Sequence, residues 1–229
     1  MPAQRDILIA LLENTQKKPV DSLTLREMIR VTDEAYDTYM THLESSGLID
    51  EESGNITASL NQRLELAIKA VQAGGDLERV SRALGWLEFE EIVARIFEEN
   101  GYDVKRRFRF QADGRRWEID ILATRRPLIV CAECKHWAKG LGNTTARRIA
   151  EIHLEKVETL SRSVENLQER MGIEGWGQAT MIPMTLSLQP ARERIYRRIP
   201  VVSVYGLPGF LSEFEAQMDW LASFTVDLA

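Results

Sequence analysis

Cysteine is scarce: Cys131 and Cys134 are the two thiols in 229 residues. Their CxxC spacing invites a metal or redox reading, but both fall in Leu128-Ile-Val-Cys-Ala-Glu-Cys-Lys135, which has the look of a buried strand. Residues three apart on a strand point to opposite faces, and zinc would need further ligands where only His136 is near. Two buried thiols in a reducing compartment is the better reading. Long apolar runs are also lacking, and none approaches the roughly 18 residues of a membrane span. The segment Met1–Leu12 has neither a basic start nor a small-residue cleavage site, so no signal peptide is expected and a cytoplasmic location follows. An excess of positive charge is missing too: the net charge is −6, which argues against a protein that coats nucleic acid indiscriminately.

What is there is ordinary in bulk, with 44% hydrophobic and 28% charged residues, and uneven in detail. Residues 1–75 hold 7 Lys/Arg against 12 Asp/Glu. The remainder is nearly balanced, and within it Lys105, Arg106, Arg107, Arg109, Arg115 and Arg116 face Asp113 alone, a basic island in an acidic chain. Local patches of this kind steer ligands more than net charge does.

The hydrophobic pattern predicts an α/β protein in two parts. Ala3–Thr15 is helix-periodic. Ser22 or Thr24 can cap a helix through Arg30, and Thr32 or Asp33 the next through Ser46. Gly47 ends it, and two short strands follow around Ser53-Gly54-Asn55. This is the order of a winged-helix domain at 1–75. Leu60–Ala73 adds a helix, and Gly74-Gly75-Asp76 is the expected boundary. Beyond it, 76–229 reads as a mixed sheet flanked by helices. Helices are expected at Asp76–Leu84 and Trp86–Asn100, then strands at Asp103–Gln111, Arg116–Thr124 and Leu128–Cys134. A long helix from Thr144 to Met171 follows, then a strand at Thr180–Leu188, a short helix at Ala191–Arg198, a strand at Ile199–Tyr205 and a closing helix at Phe210–Ala222.

Charged residues stand where this pattern wants apolar ones. Glu133 and Lys135 are two apart on one strand and share a face. Either the strand is ending and both groups are solvated or paired, or Glu133 is a hard metal ligand beside an ammonium. On the neighbouring strand Trp117, Ile119 and Ile121 share one face, Glu118 and Asp120 the other. A lone ionised Asp120 that deep is costly unless paired or metal-bound. The short Arg125-Arg126-Pro127 turn would bring Asp120 and Glu133 together, and Mg2+ is typically held by one or two carboxylates plus phosphate oxygens and waters. Glu90 lies at the edge of the apolar stripe Trp86, Phe89, Ile92, Val93, Ile96 and Phe97, next to Phe97. It is a surface residue at the border or a carboxylate delivered to a site.

Leu87-Glu-Phe-Glu90, Gly101-Tyr-Asp-Val104, Glu118-Ile-Asp120 and Glu133-Cys-Lys-His-Trp137 resemble the motifs of the PD-(D/E)XK nuclease superfamily. They are most similar to its Mrr-like restriction endonuclease branch, which is related to archaeal Holliday-junction resolvases. The resemblance runs over roughly 85–210, through Ala191-Arg-Glu-Arg and Ile199-Pro-Val-Val-Ser-Val-Tyr-Gly-Leu207. Ile119 stands where the motif often has proline, and Glu133 where this branch often has glutamine. A winged-helix N-terminal domain also suits that branch.

The resemblance implies Mg2+- or Mn2+-dependent DNA cleavage. Asp120 and Glu133 would hold the metal, with Glu90 completing the set or orienting a water and Lys135 acting beside the phosphate. Branched DNA is the alternative substrate, and a non-catalytic DNA-binding module that kept the fold is the alternative from another class. Further DNA contacts are expected from Arg106, Arg107, Arg109, Arg115 and Arg116, against a solvated hairpin as the plain reading. The same holds for Thr144 and Arg147, where a helix start preceded by glycines suits either a phosphate or a simple cap. His136 and His153 read as structural. The stripe His153, Val157, Leu160, Val164, Leu167 and Met171 reads as core, with a homodimer seam as second choice. The acidic third helix and wing of the first part favour a protein contact over DNA.

Overall fold

The computed structural model describes residues 2–135, 143–188, 191 and 193–228, without the side chains of 77, 143–146 and 215. The described residues divide into two compact units, Met1–Phe89 and Glu90–Ala229.

The first unit runs α1 (Pro2–Asn14), β1 (Val20–Asp21), α2 (Ser22–Glu27), α3 (Asp33–Ser45), β2 (Asp50–Glu52), β3 (Asn55–Thr57), α4 (Leu60–Gln72) and α5 (Leu77–Ala83). Its strands form a small sheet in the order β1-β3-β2. Caps set the helix starts. Asp21 accepts from the Thr24 N–H at α2, in place of the expected Ser22 or Thr24, because its carboxylate reaches back over the first turn. Thr32 caps α3 as expected, and Ser59 with Gln62 forms a capping box at α4. The core is aliphatic: Ile7, Leu8, Leu11, Leu12, Leu25, Leu43, Ile49, Ile56 and Leu64 are almost wholly enclosed.

Through that core runs an ion pair the sequence does not announce. Arg63 Nε donates to Glu88 Oε1 at 2.7 Å, and the rest of its guanidinium reaches the carbonyls of Leu12 and Ala83 and the hydroxyl of Thr15. The helix pattern places Glu88 on an outer face, yet it is 6% exposed. The glycines at 74–75 end α4, but Arg63 ties 83–88 into the first unit.

The second unit begins within α6 (Trp86–Glu99). Gly101, at φ +79°, ends that helix, with Tyr102 N–H returning to the Phe97 carbonyl. β4 (Asp103–Ala112) and β5 (Arg115–Arg125) form a hairpin around Asp113 and Gly114, both at positive φ as a tight right-twisting turn requires. β6 (Leu128–Lys135), α7 (Asn143–Ser163), α8 (Gln168–Met171), β7 (Gln178–Ser187), β8 (Ile195–Tyr196), β9 (Ile199–Ser203), α9 (Leu207–Gln217) and β10 (Phe224–Asp227) complete it. The seven strands form one mixed sheet in the order β4-β5-β6-β7-β9-β8, with β10 beside β7. β6, β7 and β9 run parallel, and the other pairings are antiparallel.

Two expectations change, and a third, the core reading of the long helix's stripe, holds. The long helix stops at Ser163, and a 3-10 turn at Val164–Leu167 leads into α8. At 191–198 the described residues form a bend and β8, not a helix. Arg197 and Arg198 take positive φ, and Tyr196 pairs Ile199, which turns the segment into a small hairpin. The stripe from His153 to Met171 is buried in the unit's own core with Phe108, Trp117 and Met181, so it is no open seam for a second copy. No described helix is long and apolar enough to cross a membrane.

Replacing Arg63 by Met should destabilise the protein by roughly 3–5 kcal/mol, the usual cost of breaking a buried pair. Glu88→Gln should cost less, because it leaves the carbonyls of Leu12 and Ala83 satisfied. Urea midpoints of the two variants, compared at one pH, measure the order.

Candidate functional site

The site is built on a single row across the sheet. The β4–β5 register pairs Arg106 with Ile121 and Phe108 with Ile119, which puts Arg107 opposite Asp120. The β5–β6 register pairs Ile121 with Ala132, and its next step puts Asp120 beside Glu133. The parallel register then sets Glu133 beside Thr185 of β7. Arg107, Asp120, Glu133 and Thr185 therefore occupy neighbouring positions on four adjacent strands. Arg107 has a left-handed φ of +52°, a conformation that costs a non-glycine residue energy and tends to survive at functional positions.

Asp120 accepts the Cys134 N–H on Oδ2 at 2.8 Å. Glu133 receives two ammonium groups, Lys135 Nζ on Oε1 at 2.7 Å and Lys156 Nζ on Oε2 at 2.5 Å. His153, on α7 one turn before Lys156, places Nδ1 3.6 Å from Glu133 Oε2. Its Nε2 meets the Cys131 carbonyl at 2.7 Å. A carbonyl only accepts, so Nε2 carries the proton, and in the neutral ring Nδ1 turns a lone pair toward Glu133. Among the described residues, His153 Nδ1 and Thr185 Oγ1 are buried without a hydrogen-bond partner. On α6 the buried stripe is Phe89, Glu90, Val93, Ala94 and Phe97. Glu90 sits inside it, 6% exposed, with Oε2 taking two N–H groups of Arg107 at 3.0 Å.

These charges set one another's protonation. Burial and the negative charge of Glu133 raise the Asp120 carboxyl to about 6, against the pull of the Cys134 N–H and the two lysines. Burial acts upward on Glu133 as well, but His153, Lys156 and Lys135 outweigh it and bring that carboxyl down to about 2. Burial lowers His153 to about 4, which leaves the ring neutral at pH 7. Cys134 is raised well above 9.0 by burial and then by Asp120, Glu90 and Glu133, so all three carboxylates bear on one buried thiol. Cys131 is pushed to about 12 by burial. Both thiols are uncharged and inert, as their strand positions suggest.

The predicted residues thus fall into three groups. Asp120, Glu133 and Lys135 come together, whereas Glu90 bonds Arg107 and shares with Asp120 and Glu133 only an electrostatic effect on Cys134. The basic island is already engaged: Arg106 bonds Glu91 and Glu98, Arg109 bonds Glu118, and Arg115 stacks on Trp117 with Glu155 at 3.8 Å. Arg116 and Arg147 are exposed. The Thr144 side chain and His136 lie outside the described residues. Sequence reasoning missed Lys156. The signal was present, since Lys156 is one turn from His153 and adjacent to Val157 on the buried stripe, the same border position that marks Glu90.

The charge of Glu133 raises the proton affinity of Asp120 on the adjacent strand, and a small divalent cation would relieve that repulsion. Among the described residues no three His, Cys, Asp or Glu side chains gather as a closed cage. Asp120 and Glu133 are of the chemistry a hard cation takes when water and phosphate oxygens complete its shell.

Residues 81–173 match a family described as restriction endonuclease. An uncharacterised protein of Archaeoglobus fulgidus is 36% identical over 77 residues, 33% of this chain and 60% of that protein, so the chain spans less than two thirds of this relative. Among solved structures, a protein of unknown function shares 18% identity at a TM-score of 0.37, over 56% of this chain and 65% of that one. A Vibrio cholerae protein shares 14% at 0.36, over 95% and 52%. The small subunit of a heterodimeric restriction endonuclease shares 13% at 0.29, over 69% and 79%.

Asp120 has a direct consequence for stability. A carboxyl raised in the folded state stabilises most below its unfolded value near 3.8, and that stability is lost as pH rises through about 6. Asp120→Asn keeps an acceptor for the Cys134 N–H and removes the charge. In a chelator the variant should exceed the parent by about 1–3 kcal/mol at pH 7.5, with the gap narrowing at pH 5. Denaturant midpoints at the two pH values read it.

Proposed function

We propose that this chain is a divalent-metal-dependent DNA endonuclease. The observation that carries the reading is the convergence of Asp120 and Glu133 on adjacent strands, with Lys135 bonded to Glu133 and Glu90 bearing on the same buried Cys134. The match of residues 81–173 to the restriction endonuclease family supports it independently.

In this reading Asp120 and Glu133 hold Mg2+ or Mn2+. Asp120 presents Oδ1, its Oδ2 being fixed by the Cys134 N–H. When bound, the cation supplies charge neutralisation at the phosphate and eases loss of a proton from water. Glu90 orients the attacking water or completes the ligand set once Arg107 turns from it. Lys135 donates from Nζ to a phosphate oxygen as negative charge builds there. The β6 backbone fixes the spacing of these groups, since Glu133 and Lys135 are two residues apart on a strand whose other residues are all buried.

DNA contact would draw first on Arg116 and Arg147. Arg106, Arg107, Arg109 and Arg115 would each exchange an internal carboxylate or aromatic partner for phosphate. For exposed pairs such as Arg109–Glu118 that exchange is cheap, since they contribute about 0–1 kcal/mol. The division into a winged-helix part at 1–75 and a nuclease part at 76–229 belongs to the same reading. The order α1-β1-α2-α3-β2-β3 supports the first, and the family match from residue 81 supports the second.

Plasmid DNA incubated with Mg2+ or Mn2+ should be cut, and a chelator should stop it. Asp120→Ala and Lys135→Ala should each lower the rate by about 10²–10³, the range for losing one charge-stabilising group. Cleavage at the parental rate by either variant removes that residue from the chemistry. A parallel panel of duplex, methylated, flapped and four-way DNA identifies the preferred substrate.

A further inference from the structure

We infer that Lys156 is a second lysine of this site: it occupies Glu133 in the DNA-free protein and contacts substrate phosphate when DNA and cation bind. The inference rests on the nuclease reading above and adds a residue to it.

In the described structure two of the three carboxylates that would serve a cation, Glu90 and Glu133, already hold a base, while Asp120 holds the Cys134 N–H. Glu90 Oε2 carries Arg107, Glu133 Oε1 carries Lys135 and Glu133 Oε2 carries Lys156. A cation that takes Glu133 must displace an ammonium from one oxygen. Lys156 is 12% exposed along its side chain, so a displaced Nζ stays in a poorly hydrated place with its charge uncompensated. A phosphate oxygen is the anion that corrects this. The acids then pass to the cation and the bases to the phosphate in one exchange.

The position of Lys156 is fixed for this purpose. It lies on α7 rather than on β6, so it reaches Glu133 independently of Lys135. His153, one turn away, is tied by Nε2 to the Cys131 carbonyl, which locks that turn of α7 to the strand bearing Glu133. A lysine that only neutralised Glu133 would duplicate Lys135. Two lysines, one on each carboxylate oxygen, leave one for each of two phosphate oxygens.

The exchange makes opposite predictions for cation and DNA. In the full chain, Lys156→Met should bind Mn2+ about tenfold more tightly without DNA, because the competitor for Oε2 is gone. With Ca2+ present, its affinity for a short DNA duplex should fall about tenfold, and the salt dependence should drop by about one ion per site. Lys156→Arg should stay near the parent in both. Mn2+ binding is read by electron paramagnetic resonance and duplex binding by fluorescence anisotropy. Lys156→Gln, which keeps a donor without the charge, gives the same two readouts if the Met variant does not fold. Weaker or unchanged Mn2+ binding, or unchanged duplex affinity, overturns the inference while the nuclease reading stands. Absence of Mn2+ binding in the parent both without and with the duplex overturns both.

Discussion

The structure of the second unit turns on one buried carboxylate. Glu133 stands near the end of a strand whose other residues are almost all enclosed, and an isolated ionised carboxylate there would cost several kcal/mol. Lys135 from its own strand and Lys156 from α7 each place an ammonium group on one of its oxygens. The consequence for folding is that α7 is fixed to β6 by polar contacts as well as by Val157 and Leu160. The consequence for chemistry is that Glu133 stays ionised while its neighbour Asp120 does not readily do so. Two carboxylates with proton affinities pushed apart, next to fixed ammonium groups, are a configuration found where charge must be managed rather than where stability alone is needed.

Most of the scaffold behind this site was legible in the sequence, for physical reasons that differ by element. The β4–β5 hairpin was announced by Asp113-Gly114, because few residue pairs accept two positive φ values. β6 was announced by an unbroken apolar run, because a central strand is covered on both faces. Asp120, Glu133 and Glu90 showed themselves as charges in positions where periodicity demands burial, and all three are buried or half-buried. The short strands β1, β8 and β10 were missed, since two to four residues carry no measurable period. The helix expected at 191–198 gave way, over 195–198, to a local hairpin in which Tyr196 pairs Ile199.

Charge pairing was the least legible layer. Helix periodicity assigns Glu88 to an outer face, and only the fold reveals that Arg63, 25 residues earlier, arrives to enclose it. The basic island shows the same limit in reverse. Six cations in twelve residues look like an open surface for phosphate, yet Arg106, Arg107 and Arg109 each meet a glutamate of α6 or β5. Sequence gives the sign of a charge, whereas its partner depends on which elements pack together.

That distinction bears on how the site can work. If the arginines and lysines around Glu90, Asp120 and Glu133 were unengaged, DNA would be drawn by their charge alone, and binding would precede assembly of the centre. With each base resting on an acid, neither cation nor phosphate gains much by arriving alone, since each would strand the partner it displaces in a poorly solvated place. Arriving together, they replace every broken ion pair with a new one. The positive φ of Arg107 and the locked turn of α7 at His153 hold the bases within reach of both sets of partners. In the proposed reading, the same contacts that make the buried carboxylates tolerable in the resting protein would tie cation binding to the presence of a phosphodiester.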